Sequence, residues 1–137
     1  MAASANRARR EKLTNALFVV ASIEAMPVEL DGIADRITVL FPWGSLLECI
    51  SRPEPSTLAA LARIARGDAT LDVVINRSAA SLDVDGLAQR YRATGIAVER
   101  LEWVAQSPYR TTWGARVTYR SDALHVAARF GAPHSAE

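Results

Sequence analysis

Lysine is almost missing from this 137-residue sequence: fifteen of its sixteen basic residues are arginine, and only Lys12 is lysine. Arginine suits bidentate contact with phosphate better than lysine does. Cysteine is nearly as scarce. Cys49 stands alone, so no internal disulfide can form, and with only His125 and His134 to join it no zinc site can be assembled. No resident metal is expected, and the natural compartment is a reducing cytoplasm. No apolar run approaches the roughly 20 residues of a membrane span. The basic stretch Met1 to Lys12 lacks the apolar core and small-residue cleavage site of a secretory signal. An excess of one charge is also absent, since 16 basic residues face 15 acidic ones for a net charge of +1. Any nucleic-acid surface must therefore come from segregated charge. The seven glycines, at positions 32, 44, 67, 86, 95, 114 and 131, are scattered. None builds a Gly-x-Gly turn between a strand and a helix, so a phosphate-cradling loop is not present.

What remains is a sequence half apolar and about a quarter charged, which describes a globular domain, one at most at this length. Residues 1–12 read as a basic helix end or arm, residues 13–130 as the folded part and residues 131–137 as a loose tail. Ala16 to Ile23 is a continuous, β-rich run, expected as a strand buried on both faces; Ile37 to Phe41 is a second and Leu71 to Ile75 a third. Ser56 precedes Leu58, Leu61, Ala62 and Ala65 at helical spacing, with Gly67 as the stop. Asp83 or Asp85 can cap a helix through Leu87 and Tyr91 that ends at Gly95. Val98 to Ala105 alternates, with Leu101 and Trp103 on a packing face, and Ala123 to Phe130 is a last strand after a long Arg- and Thr-rich loop. Alternating strands and helices predict an α/β sheet with parallel strands and an antiparallel pair at its end.

Two stretches carry chemistry. The run from Asn15 through Ile23-Glu24 to Pro27 is followed by Leu40-Phe41-Pro42-Trp43-Gly44-Ser45-Leu46-Leu47. The pair resembles the kanamycin–apramycin resistance methyltransferases, and the Phe-Pro-Trp-Gly-Ser-Leu-Leu string is the specific part. The resemblance extends more weakly through Tyr109 to Arg120. Members of that family methylate N1 of adenine 1408 in 16S rRNA of the 30S subunit, using S-adenosyl-L-methionine (SAM), and so confer aminoglycoside resistance. The resemblance implies a class I SAM-dependent (Rossmann-like) methyltransferase sheet in which Leu17 to Ile23 is the third strand and Ile37 to Phe41 the fourth. It implies cofactor contacts at Ile23, Glu24, Leu40 and Ser45, with Thr111 where the family has a hydroxyl residue. Trp43 and Trp113 would hold the target base between them. Arg9, Arg10 and Lys12 (with Arg7), and Arg116 and Arg120 beside Trp113, would meet RNA phosphates.

The physical logic agrees with that assignment. N1 of a stacked adenine faces inward, so the base must be extruded before methylation, and two indole rings can stack on it. Methyl transfer from a sulfonium needs positioning more than acid–base help, so the lack of a His or Cys nucleophile is no obstacle. Trp43 alone at a strand end would be ordinary core, and the surrounding string is what turns it into a stacking residue. Trp113 in a polar loop is better suited to recognition than to packing. Cys49 and His125 sit in apolar contexts and read as structural.

The sequence departs from the family in one respect. The glycine-rich cofactor loop and the acidic residue that follows the second strand have no counterpart, so a partial sheet lacking its first two strands is expected. On that reading the chain is a fragment or begins at an internal Met, and taken alone it is poorly folded and inactive. Two other functions stay open: a non-catalytic RNA-binding remnant, and a class I methyltransferase with another substrate.

Overall fold

Strict alternation along Leu71, Val73 and Ile75, with Val74 also fully buried, makes one strand the centre of the molecule. The structure, a computed structural model, describes residues 2–77, 82–109, 111 and 122–131. Its elements are α1 (Ala2–Arg10), β1 (Ala34–Leu40), α2 (Gly44–Ser51), α3 (Pro55–Ile64), β2 (Ala65–Asn76), α4 (Val84–Ala93), β3 (Ile96–Val104) and β4 (Ala123–Phe130). Single 3-10 turns at Ile23–Ala25 and Val28–Leu30 precede β1. The sheet order is β1-β2-β4-β3. β1 and β2 run parallel, and β4 inserts antiparallel to both β2 and β3.

One face of the sheet carries the main core. Leu71, Val73 and Ile75 of β2 and Leu124, Val126 and Phe130 of β4 meet Leu47 and Ile50 of α2, Leu58 and Leu61 of α3, and Leu87 and Tyr91 of α4. Tyr91 is fully buried, and its hydroxyl donates to the Ile50 carbonyl at 3.2 Å, joining α4 to α2. Burial pushes its ionisation far above the ordinary tyrosine value. A folded-state pKa raised above the unfolded value of about 10 gives stability that is full below that pH and is lost as pH climbs above it toward the folded value. In an alkaline ultraviolet titration of the three tyrosines, Tyr91 should therefore ionise only as the fold is lost. A Tyr91 signal that titrates freely with the fold intact would contradict its burial.

Local sequence explains most boundaries. α3 starts at Pro55, where a missing N–H costs nothing. Its N-cap is Glu54, not Ser56, and its chain passes straight into β2 at Ala65, so Gly67 lies within a strand and stops nothing. α4 is capped by Asp83, whose side chain accepts from the Gly86 N–H at 3.0 Å, and it ends before Gly95 at φ +83°. β4 occupies the expected residues, Ala123–Phe130. α2 was not anticipated, although Leu46, Leu47 and Ile50 have helical spacing.

One expected strand is not there. Residues 16–22 carry no regular secondary structure and pair with nothing in the described sheet, and Leu17 and Val20 are 80% and 86% exposed. The reason is physical: a strand apolar on both faces folds into a sheet only between two neighbours, and the described sheet does not enclose this segment on both sides. β1 likewise has a partner on one edge alone.

Candidate functional site

The turn that follows β1 sets the site. Phe41 is buried with a left-handed backbone, φ +50°, held by its N–H donating to the Val74 carbonyl at 2.8 Å. A non-glycine residue in that region is strained, and such strain concentrates at functional turns. Gly44, at φ +60°, takes the second left-handed step without a Cβ penalty. Between them Pro42 is buried and Trp43, the N-cap of α2, is 83% exposed. An indole projecting that far contributes nothing to the core.

Directly beside this turn lies a cavity of about 450 Å³. Four of the residues expected at a cofactor, Ile23, Glu24, Leu40 and Ser45, line it together. Ile23 and Leu40 are half-buried, while Glu24 and Ser45 stand at the exposed rim. Its volume lies within the range of small-molecule sites, about 300–1,000 Å³, and the mix of apolar wall with a few polar groups is typical of them. The consecutive residues Ile37 to Leu40 all border it. Because side chains alternate in a strand, the cavity must be reached along the unpaired edge of β1.

Three contributions to the site were not foreseen. Met26 and Cys49 border the cavity; Cys49 therefore faces a candidate site, which its apolar neighbours in sequence did not reveal. Arg63 of α3 ties down the adjoining wall: its Nη2 donates to the Met26 carbonyl at 2.6 Å and its Nε pairs with Asp31 Oδ1 at 3.0 Å. No periodicity marks such a residue, since the contact depends on where residues 26–32 return.

The remaining expected residues are dispersed. Thr111 is half-buried and does not line the cavity. Trp113, Arg116 and Arg120 lie outside the described residues. Arg9 and Arg10 are exposed on α1 and Lys12 just beyond it, while Arg7 pairs with Glu11 at 2.7 Å. Trp103 departs from its expected packing role. It is 40% exposed on edge strand β3, with the Arg77 guanidinium 4.9 Å from its ring centre. His125 is structural as expected, its Nε2 N–H donating to Asp72 Oδ1 at 3.0 Å with both side chains nearly out of solvent.

Two parallel strands, then an antiparallel strand inserted before its predecessor, form the second half of a class I methyltransferase sheet, here with a ligand-sized cavity beside its first strand. The sequence profile described as "NpmA: 16S rRNA (adenine(1408)-N(1))-methyltransferase" matches residues 1–132, and the chain belongs to that family. It is 31% identical to the 16S rRNA (adenine(1408)-N(1))-methyltransferase of Streptoalloteichus hindustanus over 87% of this chain and 63% of that protein. The crystal structure of the antibiotic-resistance methyltransferase Kmr superposes with a TM-score of 0.76 at 32% identity, covering 96% of this chain and 70% of Kmr. A tryptophan-to-alanine variant of the Catenulisporales acidiphilia 16S rRNA (adenine(1408)-N(1))-methyltransferase, solved with its cosubstrate SAM, superposes with a TM-score of 0.70 at 25% identity. It covers 85% of this chain and 62% of that one. The chain spans less than two thirds of the curated relatives it matches, 63% of the Streptoalloteichus hindustanus protein and 30% of one from Escherichia coli. No helix among the described residues is long and apolar enough to cross a membrane.

Proposed function

We propose that this chain is the target-recognition side of a cytoplasmic, SAM-dependent enzyme that methylates N1 of adenine 1408 in the 16S rRNA of the 30S subunit and confers aminoglycoside resistance. The observation that supports this reading best is a juxtaposition. A cavity gathering Ile23, Glu24, Leu40 and Ser45 adjoins the strained turn that puts Trp43 into solvent.

The cavity residues fit the adenine end of SAM: Ile23 and Leu40 offer flat apolar surface, and Glu24 and Ser45 offer rim acceptors. When bound, SAM supplies the methyl group. This chain's own residues hold and orient the target. Trp43 stacks on one face of the extruded adenine, Trp113 on the other, and Thr111 stands close to the second ring in sequence. Arg116 and Arg120 would hold phosphates beside the flipped base, and Arg9, Arg10 and Lys12 would hold them on the docking surface, each acting as a positive charge on the backbone without reading sequence. Stacking and alignment in a water-poor site are sufficient roles for a reaction dominated by positioning. No metal ion is needed for it.

A second reading, a non-catalytic RNA-binding remnant, draws on a different observation. Leu17 and Val20 stand in solvent, and the cavity opens along an unpaired strand edge, leaving its wall supported on one side only.

Cys49 provides a direct test because it borders the same cavity. Millimolar adenosine or SAM should slow alkylation of Cys49 in the purified chain severalfold. Unchanged alkylation at saturating nucleoside would remove the cofactor assignment. The catalytic reading is tested by fusing the chain behind the part of the Streptoalloteichus hindustanus enzyme that it does not match. Primer extension on 30S subunits treated with this fusion and SAM should stop at adenine 1408. Subunit binding with no stop would favour the remnant.

A further inference from the structure

A second, smaller apolar cluster sits on the face of the sheet opposite the helices. Phe41, Val74 and Ala123 are buried in it, and Leu40, Val104 and Tyr109 pack against them. Its members come from the C-terminal ends of β1, β2 and β3, from the residues that follow β1 and β3, and from the start of β4. Two of them come shortly before the proposed base-stacking residues in sequence. Phe41 lies two positions before Trp43, and Tyr109 lies two before Thr111 and four before Trp113.

We infer that Tyr109 is a positioning residue: its ring, packed with Phe41 on Val74 and Ala123, tethers the loop leading to Trp113 to the turn that carries Trp43. The inference rests on the base-clamp reading of the two tryptophans. Each end of the tether is independently held. Phe41 is fixed by its hydrogen bond to Val74 and by its left-handed backbone. The Tyr109 N–H donates to Ser107 Oγ at 3.0 Å, closing a tight turn that brings the ring back to the sheet. Burial, and secondarily the Asp72 carboxylate beside it, hold the Tyr109 hydroxyl protonated above its ordinary range. Asp72 is in turn fixed by His125.

Such a tether has a clear use. A base held between two rings is gripped only if the two loops keep a fixed separation, and a misplacement of about 1 Å far from the reacting atoms can cost about 100-fold in rate. Trp43 is too exposed to hold its own loop to the other. The cluster does so from behind, through packing that touches neither RNA nor cofactor.

The test uses single-tryptophan forms of the 137-residue chain, one keeping only Trp43 and one only Trp113, the other tryptophans replaced by Phe. Tyr109→Ala should lower the anisotropy of the Trp43 reporter. Phe41→Leu should do the same to the Trp113 reporter. Each effect should be a loss of anisotropy in the loop that was not altered. Tyr109→Phe keeps the ring and should leave both reporters unchanged. A merely local role would move the reporter in the altered loop and leave the other alone, and that result would overturn the tether. In the fusion, Tyr109→Ala should lower kcat while sparing the KM for SAM, with Tyr109→Phe restoring it. Since the fluorescence needs neither RNA nor cofactor, a cross-loop response without any primer-extension stop would count against methylation and not against the tether.

Discussion

Trp43→Ala is expected to leave the fold intact and to cost methylation about 10- to 100-fold, the equivalent of one lost base–aromatic stack of about 1–3 kcal/mol. Both halves of that expectation come from one fact: the ring is 83% exposed and caps α2 without a side-chain hydrogen bond. A surface residue with no burial and no cap contact changes stability by about 0.5 kcal/mol or less. Its loss should therefore be invisible in a urea melt and plain in single-turnover methylation of 30S subunits by the fusion. Protection of Cys49 by SAM should persist, because Trp43 does not line the cavity. If methylation survives the change at near-normal rate, the ring does not hold the base.

Tyr91→Ala should have the opposite profile, a loss of about 3–5 kcal/mol of stability as expected for a large buried aromatic reduced to a methyl group. Folded domains retain only about 5–15 kcal/mol in total, so much of the population should be unfolded. Tyr91 is fully enclosed between α4, α2 and the sheet. Tyr91→Phe keeps the ring and removes only the hydrogen bond to the Ile50 carbonyl, at a cost of about 1 kcal/mol. Paired urea denaturation of the two variants reads the difference. Similar midpoints for both would mean that the ring is not packed as described. The site would feel this change too, because the helix above Tyr91 carries Ser45 and Cys49 into the cavity.

How much of this was readable beforehand depends on what each signal reports. Asp83 and Gly95 announced α4 because capping is a local property of the backbone. The apolar run of β4 likewise announced its own burial. The run Ala-Leu-Phe-Val-Val was misread for an instructive reason. Composition records the environment a segment is suited to, whereas pairing requires strands on both sides, and the described sheet leaves this segment outside it. Ile23, Glu24, Leu40 and Ser45 were singled out by the resemblance, and all four line one cavity. Arg63, Tyr109 and Cys49 could not be found that way. Their contacts depend on where distant loops return, which neither periodicity nor a motif records.

The insertion of β4 between β2 and β3 has a consequence for the order in which the molecule can assemble. Among the described residues β3 has no neighbour in the sheet except β4, so Ile96 and the half-buried Val98 and Leu101 stay uncovered until residues 123–130 have been synthesised and have left the ribosome. The pairing that completes the sheet joins segments about 50 residues apart, such as Val73 with Val126. Long-range closure of this kind is slow and leaves sticky intermediates in the interval. The nascent segment is thus most open to misassembly in the interval between the release of β3 and the release of its keystone strand.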